Sequence, residues 1–280
     1  MLNTCQTKFI HDLAYIPEQL PRYLLPFSER EPRFHQGLLY YQAGSQLNII
    51  AYPLPLEIKG PVLKDHIQDL VHKLRPRDLK VFSPIQLQVS SFKQARWEQD
   101  YYYCLDLNRV ATGAKLRNML KRASREAYTS VSRDFTREHL QIVTNFIRYK
   151  GFQKDKALFF HRLPEYLAHS ETALILEARL RENNEIVAFD ILETGARMYA
   201  FYLFNITDAK TKDIPGINDL LVQEMVHLAQ DNGKRFINMG LGINPGIVSF
   251  KAKWGAFPFV PYHFQEFRPG FSWRRLLNLK

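Results

Sequence analysis

Cysteine is nearly absent from this 280-residue chain, which has only Cys5 and Cys104. Two distant thiols build neither a disulfide framework nor a zinc site, and they suit a reducing cytoplasm. No apolar run approaches the roughly 20 residues that span a bilayer. The start, Met1 to Lys8, lacks the basic-then-apolar pattern of a secretory signal. Low-complexity segments and residue-level repeats are missing too, and the length leaves one large domain or two ordinary ones. Acidic side chains are the scarce sign: 28 Asp and Glu stand against 38 Lys and Arg, for a net charge of +10. That excess favours polyanionic partners such as nucleic acid, an anionic lipid surface or a phosphorylated cofactor, although a solvated basic surface has the same composition. The aromatic pair of an RNA-recognition motif is lacking.

What is present is ordinary folded protein, 46% hydrophobic, with one unusually informative stretch. Gly240 to Gly255 reads Gly-Leu-Gly-Ile-Asn-Pro-Gly-Ile-Val-Ser-Phe-Lys-Ala-Lys-Trp-Gly. Arg235–Met239 before it reads as a strand. Asn244 suits an N-cap, Pro245 the first helical position, and Gly255 a C′ position, which predicts a helix over 245–254. Upstream, Pro215-Gly216-Ile217-Asn218 opens a helix of about 14 residues that Asn232-Gly233 closes.

Residues 1–36 read as irregular apart from a helical stretch at Phe9–Tyr15. A hairpin is expected at 38–43 and 46–52, a helix at 61–74, and short strands at 79–83, 85–90 and 101–107. Residues 113–127 form a basic helix with five cations in eleven residues, Lys115, Arg117, Lys121, Arg122 and Arg125. Helices follow at 136–150 and 163–169, then three antiparallel strands at 174–181, 186–193 and 197–205. An aromatic strand, 259–267, and a basic tail, 271–280, end the chain.

This order of elements over residues 134–270 resembles the GNAT acyltransferase fold, an α/β (α+β) architecture with a mixed, mostly antiparallel sheet flanked by helices. Phe250-Lys251-Ala252-Lys253-Trp254-Gly255 resembles the F-K-x-K-W/F-G signature of Fem-type and phosphatidylglycerol-lysyltransferase-like proteins. Asp106-Leu107 with Lys115–Ala123 is similar to the segment that joins the two halves of those proteins. The resemblance implies tandem GNAT-like units: a degenerate one at 1–112, a linker helix at 113–133, and a unit with the active site at 134–280. It also implies transfer of an acyl or aminoacyl group to an amine or hydroxyl. The donor would be acyl-CoA or aminoacyl-tRNA, the acceptor in some members a lipid, and no metal would take part.

Acyl transfer needs the donor phosphates held, the developing oxyanion stabilised and the nucleophile deprotonated. For the first task, Pro215, Gly216, Ile217 and Asn218 lie at a helix N-terminus, where N–H groups and the dipole favour phosphate. Gly242, Asn244 and Lys253 are further candidates for binding the donor. Against this, the loop has one glycine, where acetyl-CoA enzymes usually have several, and Asp213 and Asp219 flank it; Lys210 and Lys212 are available to offset them. A plain helix cap has the same residues, and Lys253 fits a surface charge equally. Lys251 stands where many acetyltransferases carry a tyrosine; its ammonium suits an oxyanion or a phosphate. Asp190, on a strongly apolar strand, is either a general base with a perturbed pKa or half of a salt bridge to Arg179 or Arg197. Glu177 and Glu193 are the other acids nearby. Strand alternation puts Tyr199, Phe201 and Asn205 on one face and Tyr202 on the other, with Asn205 free to orient a substrate amide.

The basic helix suits tRNA phosphates or anionic lipid heads, or is a solvated linker. The tail suits a membrane surface or docks on the domain. The expected location is the cytoplasm, with a peripheral position at the inner membrane face open. An acyl- or aminoacyltransferase, a conventional acetyl-CoA N-acetyltransferase and a catalytically silent scaffold for RNA or anionic lipid remain distinct readings.

Overall fold

The computed structural model describes residues 2–28, 30–56, 60–208 and 214–269. The loop residues 210, 212 and 213 and the tail 271–280, both weighed above, lie outside them. The chain starts with α1 (Thr4–Leu13), a 3-10 turn (Pro17–Gln19) and α2 (Pro21–Ser28). So the first 36 residues are not irregular: Asn3 caps α1 through a reciprocal pair with Gln6. Next come β1 (Pro32–His35), β2 (Leu38–Ala43), β3 (Gln46–Ile50), α3 (Gly60–Leu74), β4 (Asp78–Ser83) and β5 (Phe92–Asp106). The middle of the chain forms α4 (Ala114–Glu126), β6 (Ala127–Ser132), α5 (Arg137–Lys150), α6 (Lys154–His161) and α7 (Leu163–His169). It ends with β7 (Ala173–Leu180), β8 (Ile186–Glu193), β9 (Tyr199–Thr207), α8 (Ile217–Asp231), β10 (Phe236–Leu241), α9 (Pro245–Lys253) and β11 (Phe257–Pro269).

All eleven strands join one sheet in the order β1-β2-β3-β4-β11-β5-β10-β9-β8-β7-β6. The pairs are antiparallel except β3 with β4 and β9 with β10. Each parallel pair is bridged by a crossover helix, α3 or α8, because parallel neighbours need a long connection. The order of elements therefore repeats even though the residues do not. β11, last in the chain, lies between β4 and β5, and β5 reaches β10.

Helices cover both faces. One face packs α3 at the first half, with Leu63, Ile67 and Leu70 on Leu47, Ile49, Leu79 and Val81, and α4, α8 and Trp254 at the second. The other face carries α1 and the 3-10 turn at the first half, and α5 and α7 at the second. Every residue of β8 is buried, as a largely apolar strand covered on both sides requires, Asp190 and Glu193 included.

Three details differ from the sequence reading. Residues 85–90 are not a strand: the Gln265 side chain bonds both backbone groups of Leu87, donating to its O (2.9 Å) and accepting from its N (2.7 Å), where a strand partner would stand. β6 and α6 were not expected; β6 follows α4 with no turn between them. A register shift in β8–β9, between Ile191↔Phe204 and Leu192↔Tyr202, turns the end of β9 over. Asn205 therefore shares a face with Tyr202, not with Tyr199 and Phe201.

Candidate active site

The α8 N-terminus borders a cavity of about 410 Å³ lined by Asn205 and Thr207 of β9, Gly216 to Asp219, Phe250 of α9 and the last turn of α5, including Lys150. Of the loop residues predicted from sequence, Gly216, Ile217 and Asn218 line it and Pro215 does not. Gly216 has φ +90°, and a Cβ there would stand 2.7 Å from the Met119 carbonyl of α4. Only glycine permits both the left-handed backbone and that approach. It starts α8 on α4 and leaves the first-turn N–H groups, which have no intrahelical partner, beside the cavity.

A polar chain runs from the sheet to this helix. Asn205 Nδ2 donates to Asp190 Oδ1 (2.7 Å) and to Asn218 Oδ1 (3.2 Å), and Thr207 Oγ1 donates to the same Asn218 oxygen (3.2 Å). The Tyr202 hydroxyl also reaches Asp190 Oδ1, at 3.4 Å. Asp190 is fully buried behind Asn205, and its Oδ2 has no partner among the described residues. Burial pushes its carboxyl up to about 8, against the hydrogen bonds from Asn205 and Tyr202. The salt-bridge alternative is not realised: Arg179 pairs with Glu177 (2.7 Å) and Glu138 (3.8 Å) instead.

The 240–255 stretch folds as its sequence spells it. Asn244 caps α9 by accepting from Ile247 N (3.1 Å), Pro245 takes the first helical position, and Gly255 has φ +88°. Each residue of the lysine motif has a separate place. Phe250 lines the cavity. Lys251 is buried; its Nζ donates to the Leu241 carbonyl (2.5 Å) and lies over the Tyr103 ring. Burial lowers its pKa to about 8, with Asp100 opposing. Lys253 closes on Asp219, 2.6 Å from Oδ1, and Trp254 Nε1 donates to the same carboxylate (3.0 Å). The acid that seemed to weaken the phosphate loop is thus neutralised by the motif itself.

Gly242 and Asn244 stand with Lys251, not in the cavity. A Cβ on Gly242 would meet Asp100 Oδ1 at 2.7 Å, and Asp100 Oδ2 accepts from Ile243 N (2.7 Å). This β10–α9 turn lies where β9 and β10 stop pairing, after Phe201↔Asn238. Tyr202 links the two groups: its hydroxyl touches Asp190, and its carbonyl faces Gly240 beside Lys251 Nζ. Sequence reasoning missed Asp100, Thr207 and the bridging role of Tyr202; the bulge in β9, which no residue pattern announces, puts Tyr202 on the face of Asn205 and Thr207, while Asp100 comes from β5. The remaining acids face the opposite side of the sheet. Glu177 accepts from Ser130 and Arg179, and Glu193 from Tyr166 (2.5 Å), Ser170 (2.8 Å) and Gly195 N (2.8 Å).

Comparison with known proteins gives the class of fold. No family model and no curated protein matches the chain. Solved structures do. L-PGS from Bacillus licheniformis is 17% identical, over 95% of this chain and 96% of that one, with a TM-score of 0.56. FemX is 12% identical, over 94% and 96%, with a TM-score of 0.60. A tandem GNAT protein from the clavulanic acid biosynthesis pathway is 12% identical, over 84% and 79%, with a TM-score of 0.52. The chain has a GNAT-like fold of the Fem and L-PGS type, a mixed, mostly antiparallel sheet flanked by helices. No helix among the described residues is long and apolar enough to cross a membrane.

Proposed function

We propose that the chain is an acyl- or aminoacyltransferase that moves an acyl group from a phosphate-bearing donor to an amine or hydroxyl. The observation that carries this reading is the cavity at the α8 N-terminus, with the polar chain Asn218–Asn205–Asp190 behind it and Lys251 at the neighbouring end of β10. The resemblance of the fold to L-PGS and FemX supports the aminoacyl form; likeness to a tandem GNAT protein keeps an acyl-CoA donor open. Two units, 1–112 and 134–280, fit the two strand–helix–strand crossovers, with the reaction in the second; of the 113–133 link only α4 is helical, since β6 joins the sheet beside β7.

In this reading the α8 N-terminus and Lys150 hold donor phosphate. The acceptor attacks the donor carbonyl carbon, the ester or thioester bond to the carrier breaks, and the proton lost by the acceptor ends on the departing carrier oxygen or sulfur. Lys251, still mostly an ammonium at neutral pH, stabilises the oxyanion by exchanging its bond to the Leu241 carbonyl for one to substrate. Asp190 is a positioning residue: it orients the Asn205 amide, which faces the cavity. Lys253 acts through Asp219 and not on the donor.

The choice of aminoacyl-tRNA as donor rests on α4. Its five cations are all exposed, and its Met119 carbonyl abuts Gly216, so the basic helix flanks the donor cavity. In this reading the phosphate chain of the donor runs from the cavity onto this helix. An anionic lipid acceptor uses the same charges from a peripheral position on the cytoplasmic side of a membrane.

The deciding experiment is filter binding with charged and uncharged tRNA at fixed salt, beside calorimetric titration with CoA and acetyl-CoA. Salt-sensitive preference for charged tRNA, with transfer abolished by Lys251→Ala in a folded protein, supports the reading. Micromolar CoA binding without tRNA binding converts it to an acyl-CoA transferase. Binding of tRNA or lipid with no turnover, indifferent to Lys251→Ala, overturns it in favour of a silent scaffold.

A further inference from the structure

A second polar site lies on the sheet face opposite α8 and α9, in the first half of the molecule. Tyr41 of β2, Tyr52 just after β3, Tyr102 of β5 and Tyr262 of β11 form one aromatic cluster beneath the 3-10 turn that carries Glu18. The rings meet edge to face, Tyr52 with Tyr102 at 5.8 Å and Tyr102 with Tyr262 at 5.6 Å. The Tyr52 hydroxyl is satisfied by the carbonyls of Ser83 (3.1 Å) and Pro261 (2.9 Å). The others are not: the Tyr41 and Tyr102 hydroxyls and Glu18 Oε2 are buried without a hydrogen-bond partner. These are three of the seven such side-chain atoms among the described residues, gathered in one place.

A core that needed only ring volume would carry phenylalanine there, because each unmade hydrogen bond costs about 1–3 kcal/mol. Both tyrosines are essentially unexposed, at 0% and 1%, while Glu18 as a whole is half-buried with Oε2 out of solvent. No cation among the described residues pairs with that carboxyl. Burial pushes it up to about 7, against its own N–H and the Tyr102 hydroxyl, which faces it without reaching hydrogen-bond geometry. Two phenol oxygens and a carboxylate oxygen supply three acceptors, and a primary ammonium has three N–H donors to match them. Ring faces around a carboxylate add cation–π attraction.

We propose that Glu18, Tyr41 and Tyr102 form a binding site for a primary ammonium group. The site stands apart from the donor cavity and does not depend on the acyl-transfer reading. Its ligand is either the α-amino group of an aminoacyl unit or the amine of an alkylamine; the ammonium chemistry is common to both.

The test is calorimetric titration of the full chain with propylammonium chloride, with propan-1-ol as the neutral isostere and potassium chloride to match salt. The wild type is expected to bind propylammonium saturably and propanol not at all. Glu18→Gln, close in shape but without the negative charge, is expected to fold with an unchanged circular dichroism spectrum. It should weaken binding at least about tenfold, as loss of an ionic hydrogen bond does. The Tyr41→Phe, Tyr102→Phe pair should weaken it less, and it provides the test should Glu18→Gln fail to fold. Alaninamide binding more tightly than propylammonium assigns an aminoacyl amine, and the reverse assigns an alkylamine. No saturable binding by the wild type, or equal affinity in Glu18→Gln, overturns the site and makes these groups a hydrated core.

Discussion

Lys253 and Asp219 make the ion pair that ties α9 to the first turn of α8. Asp219 is almost wholly buried and takes a second bond from the Trp254 indole. Removing the lysine leaves a buried carboxylate with one neutral donor. Lys253→Ala is therefore expected to destabilise the fold by roughly 1–3 kcal/mol, the range for stranding a charged partner at a partly exposed pair. Thermal unfolding of Lys253→Ala, Asp219→Asn and the double variant checks it. A coupling energy near zero would mean that the lysine is an ordinary surface charge.

Lys251, two residues earlier, behaves differently because its ammonium sits in a site that penalises charge. Its pKa is lowered from 10.5 to about 8. Between pH 8 and about 10.5 the unfolded chain holds a proton that the folded chain has lost, so this group makes the fold more stable as pH rises through that window. The full effect is about 3 kcal/mol. Wild type minus Lys251→Met stability, by denaturant titration at pH 7 and pH 10, should rise by an amount of that order. Transfer that uses the ammonium should decline over the same window, as pH passes about 8. A difference in stability that is flat with pH would place the amine in solvent.

Much of this site is written locally. Asn244, Pro245 and Gly255 mark both ends of α9 because caps act within a few residues, and the largely apolar Ile186–Glu193 run gives β8 to the residue. Gly216 and Asn218 were legible as a helix start, and Asp190 and Asn205 as polar residues worth explaining on apolar strands. What was not legible is non-local. The pairing of Asp190, Asn205 and Tyr202 depends on one extra residue in β9 relative to β8. The placing of β11 between β4 and β5 depends on β5, a long strand whose first half carries little burial signal: Lys93 to Gln99 are exposed. Glu18 gave no signal at all, since its tyrosines come from four distant segments.

Gly216→Ala tests the junction of α4 and α8. The new Cβ would meet the Met119 carbonyl at 2.7 Å on a backbone at φ +90°. Strain and overlap together should cost about 2–4 kcal/mol. Because this glycine also shapes the donor cavity, donor affinity should fall with the melting temperature. Gly113→Ala, where a Cβ meets nothing within 4 Å, is the control expected to leave both unchanged.

Glu177 controls the acid limb of stability. It is buried against His139 and Arg179, with the Ser130 hydroxyl donating at 2.7 Å. Burial alone would raise its carboxyl, but the bonds from His139, Arg179 and Ser130 together outweigh it and hold the group at about 2. Its folded pKa is below its unfolded one, so its contribution is complete above about pH 4.5 and disappears as pH falls toward 2. After allowance for solvent reaching the Arg179 side, about 1–2 kcal/mol should be lost there. Glu177→Gln should flatten that limb in urea melts at pH 2, 3, 4 and 6; an unchanged limb would assign acid sensitivity to another carboxylate.

The basic helix makes the most direct claim about the donor. Lys115, Arg117, Lys121, Arg122 and Arg125 are exposed on α4, and the helix meets the cavity at Gly216. If these cations contact nucleic-acid phosphates, each contact releases condensed counterions, and the dependence of log affinity on log salt steepens by about 0.7–0.9 per contact. Lys121→Ala, Arg122→Ala and Arg125→Ala together should then lower the slope for tRNA by as much as about 2–3 without changing the melting temperature, since none of the three is buried. The slope for CoA, which is small enough to remain in the cavity, should change by less than one. A tRNA slope untouched by the triple substitution would move the polyanion to another face of the molecule and leave α4 as a solvated brace between the two halves of the sheet.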